Sequence, residues 1–361
     1  MPRLDHHRKP FDEGTLAKLD LFRRTAEGFL GVFIGSRQDR CKSIHIYDFF
    51  CGPGVDSEGR PGSPVLLLQH LKGLQHIIEA QAYDVEVYLN DAEADKVSEL
   101  KGHLHALNLE SGPYRLRFAE RVFLEVFEEE VQKMSSSANL VLIDQNGVNQ
   151  FPPAVFAKLR SIPRTDFLVF MSSSYAWRFQ DAPEMQRHVE TTKVFSPELA
   201  FYDTHRAFVD YYRTLVPVGE HYFLAPFSIK KGSNIYGVMF GSSNPKGLEK
   251  FLEAAWKLDG QRGESNFDID REGMFSLPGD LPIEWGKVSK VVEFERELQL
   301  AILNRTLATT TDVYLSALER GFLPRHANSV LKQMQKERKI AKMAGVGSFS
   351  LRSPINITTL V

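Results

Sequence analysis

The feature that most constrains this chain is a β-rich stretch that breaks abruptly into glycine: Ser43 to Pro64, SIHIYDFFCGPGVDSEGRPGSP. Ser43 to Phe50 is dense in β-branched and aromatic residues, as a buried strand requires, and it ends in the turn Asp48-Phe49-Phe50-Cys51-Gly52-Pro53-Gly54. Gly52 and Gly54 let the backbone pass close under a ligand, where a Cβ would clash. An acidic residue closing such a strand, with glycines behind it, marks the nucleoside-binding edge of a doubly wound sheet. A plain glycine turn between a core strand and a helix is the competing reading.

The turn is not the dinucleotide fingerprint, because Val55 and Asp56 stand where a third glycine is expected. Written as Asp-x-Phe-x-Gly-x-Gly, it is similar to the first motif of methyltransferases that use S-adenosylmethionine (SAM). That likeness implies that the backbone from Phe50 and Cys51 through Gly52 and Gly54 cradles the methionine part of SAM. Asp48 then fixes its amino group, directly or through water.

Strands and helices alternate beyond this point. Ser63-Pro64 opens a helix, with serine as its cap and proline at its first position. Val85 to Leu89 reads as a second strand ending in Asn90-Asp91, where Asp91 either takes the ribose hydroxyls of a nucleoside or caps the next helix. Leu140 to Ile143 is a wholly apolar strand closed by Asp144-Gln145-Asn146-Gly147. Asp166 to Met171 is another, emptying into Ser172-Ser173-Ser174-Tyr175-Ala176-Trp177-Arg178. Polar clusters thus close several parallel strands, and that edge is where such sheets bind ligands. His221 to Phe227 and Ile235 to Phe240 suit a closing antiparallel pair, with Lys230 and Lys231 at a solvated tip. Ahead of the first strand, Leu16, Leu19, Phe22, Ala26 and Phe29-Leu30 fall at helical spacing, with Lys18, Arg23 and Arg24 on the solvated face.

The expected fold is therefore α/β: a doubly wound, Rossmann-like sheet of the class I methyltransferase type over 1–258, with a helical insertion at about 180–217. A linker and helix over 259–300 follow, in which Asp259 to Pro282 reads as a mobile connection. The last part, 301–361, reads as a winged helix-turn-helix: VYLSALERG, then Leu323-Pro324 leading into RHANSVLKQMQKERKI, then AKMAGVGSFSLR as a hairpin. From Ala301 onward nine basic residues face three acidic ones, while the whole chain carries a net charge of -2. That asymmetry favours nucleic acid as the tail's partner, with Arg325, His326, Asn328 and Lys332 on the recognition helix. Winged helices also serve as protein-binding modules.

Cys41 and Cys51 are the chain's 2 cysteines, which suits a reducing compartment and is too few for a cysteine-ligated metal or cluster. No histidine stands at metal spacing from a second ligand, so no metal is expected. The start, MPRLDHHRKPFDEG, lacks an apolar core, and no run is long enough to span a bilayer. A cytoplasmic protein without membrane contact is expected.

Four stretches together carry a closer resemblance: FDEGTLAKLDLFRR, YDFFCGPG with GSP after it, SNIYGVMFGSSNPKGLEKFLEAAW, and VYLSALERGFLPRHANSVLKQMQKERKI. In this order the chain resembles the three-Cys-motif partner proteins. The resemblance implies a methyltransferase-like core with SAM as cofactor, a winged-helix-like end, and a partner protein with a three-cysteine motif that is itself similar to radical-SAM enzymes. The likeness to methyltransferases implies a site at Asp144, Gln145 and Asn146, since those that act on the amino groups of bases hold the exocyclic amine there. Asp144 and Gly147 fit the family's aspartate, proline, aromatic, glycine pattern, and Gln145 and Asn146 do not. Either the acceptor differs from an adenine amine, or catalysis has been lost and Asp144 simply caps a helix. Tyr175, Trp177 and Arg178 could stack on a base or its phosphate, or merely pack. Two functions follow: a SAM-dependent methyltransferase acting on nucleic acid, or a non-catalytic module that docks the three-cysteine protein on nucleic acid.

Overall fold

The computed structural model describes residues 9–34, 41–145, 151–178, 194, 203–232, 234–267 and 289–360. They fall into two compact units, up to Phe251 and from Leu252 onward, the division lying within the helix Pro245–Leu258.

The first unit is built on strands β1 (Ser43–Asp48), β2 (Asp84–Asn90), β3 (Arg115–Ala119), β4 (Ala138–Asp144), β5 (Thr165–Met171), β6 (Phe223–Lys231) and β7 (Asn234–Ser242). They form a seven-stranded sheet in the order β3-β2-β1-β4-β5-β7-β6. β1 to β5 run parallel, and β7 lies antiparallel between β5 and β6. β1 and β4 sit at the centre, and their apolar residues are buried on both faces, as a parallel sheet covered by helices demands. One face receives Tyr47 and Phe49, whose rings meet Tyr88, Phe123 and Phe127 at centroid distances of 5.1 to 6.0 Å. Each such ring contributes about 1.5–3 kcal/mol by leaving water.

Helices α1 (Glu13–Phe33), α2 (Ser63–Gly73), α3 (Gln75–Ala80), α4 (Ala94–Ala106), α5 (Phe123–Glu130), α6 (Pro153–Ser161), α7 (Ser173–Arg178), α8 (Thr204–Thr214) and α9 (Pro245–Leu258) accompany the strands. The short helices α3 and α7 are additions to the elements read from the sequence pattern. In α1 the stripe Leu19, Phe22, Ala26, Phe29 and Leu30 is buried as expected, but Leu16 is 41% exposed. α2 begins at Ser63 with Gly62 as its cap, so Ser63 is the first helical residue and its hydroxyl is directed elsewhere. Of the expected insertion, α8 is described, and most of 180–202 lies outside the described residues.

In the second unit, Asp259 draws the backbone N–H groups of Gln261, Arg262, Glu264 and Ser265 around its carboxylate at 3.0 to 3.2 Å. The start of the expected mobile connection is thus a tight, Asp-centred turn, and 268–288 lie outside the described residues. Helices α10 (Lys290–Leu303), α11 (Thr310–Glu319) and α12 (Pro324–Lys336) follow. α10 and α11 both pack on α12. α11 opens with a reciprocal cap between Thr309 and Asp312. The expected hairpin in AKMAGVGSFSLR does not form. Ile340 pairs antiparallel with Thr359, and Thr309 with Asn356, so the terminal segment lies between two earlier pieces of chain. A 3-10 turn, Ser348–Leu351, fills the connection. Gly345 and Gly347 flank Val346, which Asn328 grips from α12, and this pins the stretch as an irregular loop.

Candidate functional site

In this strand order the sheet winds in opposite directions on either side of the β1–β4 seam. A crevice at the carboxyl edge of such a seam is the place where doubly wound sheets take ligands. Asp48 ends β1 and Asp144 ends β4, so two carboxylates flank the seam. A third, Asp91, follows β2 on the other side of β1.

The glycine turn is held from beneath. Asp91 Oδ2 accepts the Gly52 N–H at 3.1 Å, and its Oδ1 accepts the Glu93 N–H at 3.0 Å. The Cys51 N–H donates to the Asn90 carbonyl at 2.9 Å, and His103 Nδ1 meets the Pro53 carbonyl at 2.7 Å. Gly52 and Gly54 adopt φ of 59° and 87°, the left-handed region that favours glycine. A Cβ on Gly54 would stand 2.5 Å from Leu100 Cδ1, so the bare backbone at this position serves the packing of α4. Asn90 ties the edge together: its amide donates to the carbonyls of Phe49 and Arg121 and accepts the Arg121 N–H. Asn90 and His103 were missed as site residues. A polar residue on a buried strand end was the available signal for Asn90, and nothing in the local sequence marked His103.

Asp48 is 1% exposed and lies under the turn. It accepts the Ser63 hydroxyl at 2.7 Å and the Phe50 N–H at 3.2 Å. Burial raises its carboxyl to about 7; the Ser63 hydrogen bond opposes this, and the charges of Asp144 and Asp91 add to it. Cys51 is buried, and desolvation, then Asp48 and Asp91, push its thiol well up, which removes it as a thiolate nucleophile. Phe50 packs its half-buried ring on Phe123 at 5.3 Å.

Asp144 is met from above by α1. Lys18 Nζ donates to Asp144 Oδ2 at 2.5 Å, with side chains 14% and 24% exposed, and the same ammonium sits 4.7 Å from the centroid of Phe170. Phe170 is stacked on Tyr236 at 5.1 Å. Lys18 is therefore part of the edge and not of a solvated helix face. α1 reaches it because its start is fastened at both ends of the edge. The Phe11 N–H donates to Asp56 at 2.7 Å, Arg60 donates to the Phe11 carbonyl at 3.0 Å, and Lys231 pairs with Asp12 at 3.2 Å. Lys231 is accordingly engaged, not a solvated hairpin tip. Gln145 is 1% exposed beside Asp144, whereas Asn146 and Gly147 lie outside the described residues.

The stretch after β5 is helical. Trp177 packs half-buried against the aromatic core, and Arg178 is exposed and donates to Asn234 at 3.0 Å. Tyr175 lies on the same helix, its side chain outside the described residues.

In the second unit the four expected recognition residues divide. Arg325 and Lys332 are exposed on α12. His326 accepts the Leu323 N–H at 3.1 Å and lies 4.2 Å from Trp256; burial, then Arg325 and Lys290, lower its pKa to about 4 and keep it neutral. Asn328 spends both ends of its amide on the Val346 backbone, at 2.6 and 2.9 Å. His326 and Asn328 thus organise the fold around α12, and the exposed cations Arg325, Lys332 and Lys336 form its outer face. Among the described residues no helix is long and apolar enough to cross a membrane, and no cluster of metal-ligating side chains occurs.

The strand order and its antiparallel seventh strand define the class: a Rossmann-like class I fold with a methyltransferase-like core. No protein-family model matches the chain, and no curated protein does. Among solved structures it is similar to a SAM-dependent methyltransferase from Agrobacterium tumefaciens, at 11% identity and a TM-score of 0.36, over 65% of this chain and 63% of that one. It is similar to Trm1 from Pyrococcus horikoshii in complex with S-adenosyl-L-methionine, at 14% identity and 0.38, over 96% and 91%. It is similar also to P. horikoshii TYW2 in complex with MeSAdo, at 11% and 0.30, over 66% and 65%. The chain spans less than two thirds of the Agrobacterium and TYW2 chains. Likenesses this weak carry no argument about activity, and the class rests on the strand order.

Proposed function

We propose that this chain is a SAM-dependent methyltransferase-like protein of the three-Cys-motif partner type, acting on nucleic acid together with a three-cysteine, radical-SAM-like protein. The observation that carries the reading is the seam: a buried carboxylate ending β1, a tethered turn with two positive-φ glycines, a carboxylate after β2 and another ending β4, all on one edge. The acceptor set fits SAM. A carboxylate offers about four lone-pair positions, and Asp91 spends one on each of two N–H groups. Two remain for ribose hydroxyls. Asp48 acts from beneath the turn, where an ammonium nearby favours its charged form. Bound SAM supplies an electrophilic methyl on a sulfonium, and the chain's share is to orient it and to exclude water.

The second unit supports the polymer part of the reading. Three helices, with short antiparallel pairings at Thr309–Asn356 and Ile340–Thr359, follow the order of a winged helix-turn-helix, and α12 presents Arg325, Lys332 and Lys336 outward. One observation favours the non-catalytic docking role: Lys18 already occupies Asp144. Both readings place the protein in the cytoplasm.

Calorimetry of SAM against the intact protein and its Asp91→Ala variant tests the cofactor site. Micromolar binding that Asp91→Ala weakens by at least tenfold is the expected result. Absence of heat with folded protein overturns it.

A further inference from the structure

Three things converge on Lys18. Its ammonium rests on the carboxylate that closes β4, beside the seam; it lies over the face of Phe170, itself stacked on Tyr236; and it is only 14% exposed. A carboxylate accepts hydrogen bonds and cannot donate them, and an aromatic face attracts positive charge. Together they make a site for an amino group, and the amino group now in it is the protein's own.

Anchoring α1 does not require this contact. The helix start is fastened by Phe11 to Asp56, by Arg60 to Phe11 and by Asp12 to Lys231. Its apolar stripe is buried from Leu19 to Phe33. A lysine stem of four carbons can swing aside while the helix stays where it is.

We propose that Lys18 is an internal occupant of the acceptor position. Its ammonium holds the place on Asp144 that the substrate's amino group takes, and the substrate is a primary amine, free or exocyclic on a base, that displaces Lys18 to bind. This rests on the reading of the seam as a SAM site. Lys18 is then a specificity-determining residue: an acceptor with no hydrogen-bond donor gains nothing by displacing it, and a neutral hydroxyl lacks the positive charge that the Phe170 face attracts.

The test needs no knowledge of the substrate. Sinefungin carries an amine where SAM carries its sulfonium methyl, and S-adenosylhomocysteine carries nothing there. Both are titrated by calorimetry into the full-length wild type, Lys18→Met, Lys18→Gln and the double variant Lys18→Met with Asp144→Asn, after thermal melts establish that each is folded. Freeing Asp144 for the sinefungin amine should raise the preference for sinefungin over S-adenosylhomocysteine by roughly tenfold in Lys18→Met, the scale of a hydrogen bond to a charged group, and by less in Lys18→Gln, whose neutral amide still donates to the carboxylate. The double variant should lose that gain. An unchanged preference in both single variants, with both ligands bound, overturns the proposal and leaves the cofactor site standing. Failure of both ligands to bind the folded wild type overturns the cofactor reading, and the proposal with it.

Discussion

At the scale of single residues, the site is a set of carboxylates whose neighbours decide their roles. Asp48, Asp91 and Asp144 are chemically identical, yet one is buried beneath a turn, one tethers that turn, and one holds an ammonium. Asp48 yields a prediction with a definite sign. Its folded pKa, about 7, lies above the ordinary carboxylate range, so the folded state holds a proton that the unfolded chain has already lost between about pH 4 and 7. Its contribution to stability is full at acid pH and disappears as pH rises through 7. Asp48→Asn removes the charging cost: urea unfolding at pH 8 should show a gain of up to about 3–4 kcal/mol over wild type, shrinking toward zero near pH 4. The same variant should abolish SAM binding. Opposite pH trends in the stability difference would refute the assignment of the buried charge.

Among the elements, the glycine turn and α4 form one device. The turn was legible because Asp48, Gly52 and Gly54 stand in a row. The reason for Gly54 was not, since the clash at 2.5 Å comes from Leu100, 46 positions away. Gly54→Ala should cost about 1–3 kcal/mol from the left-handed backbone and the crowding together. Combining it with Leu100→Ala should cost less than the sum of the two single changes, because the small side chain makes room. Additive losses in denaturant titrations would place the whole cost in the backbone. On α12 the lesson runs the other way. Arg325, His326, Asn328 and Lys332 look alike as polar residues on a basic helix, but Trp256 claims His326 and the Val346 backbone claims Asn328. If the outer face binds polymer, Arg325→Ala with Lys332→Ala should lower affinity for DNA or RNA and reduce the salt slope by about 2 in a log–log plot. An unchanged slope would point to a protein partner for that face.

For the whole molecule, the opposite edge of the sheet supplies a control. Asp166, near the start of β5, is buried, raised to about 7 by desolvation and hydrogen-bonded by Ser242. Asp166→Asn should repeat the pH-dependent gain of Asp48→Asn in urea unfolding while leaving SAM binding untouched, since it lies at the other end of the strands. Loss of ligand binding in that variant would mean that the two edges are coupled. From sequence alone, the alternation of apolar strands with helices, the glycine turn and the acidic strand ends already determined a doubly wound sheet and its candidate ligand edge at β1, because periodicity and turn chemistry are local. Only the tertiary structure decided what fills that edge. Lys18 reads as solvated on a helical wheel, as does Lys231 in a hairpin, and each is drawn to a partner more than a hundred residues away. Charge pairing and burial depend on which surfaces meet, and that information is spread over the whole chain.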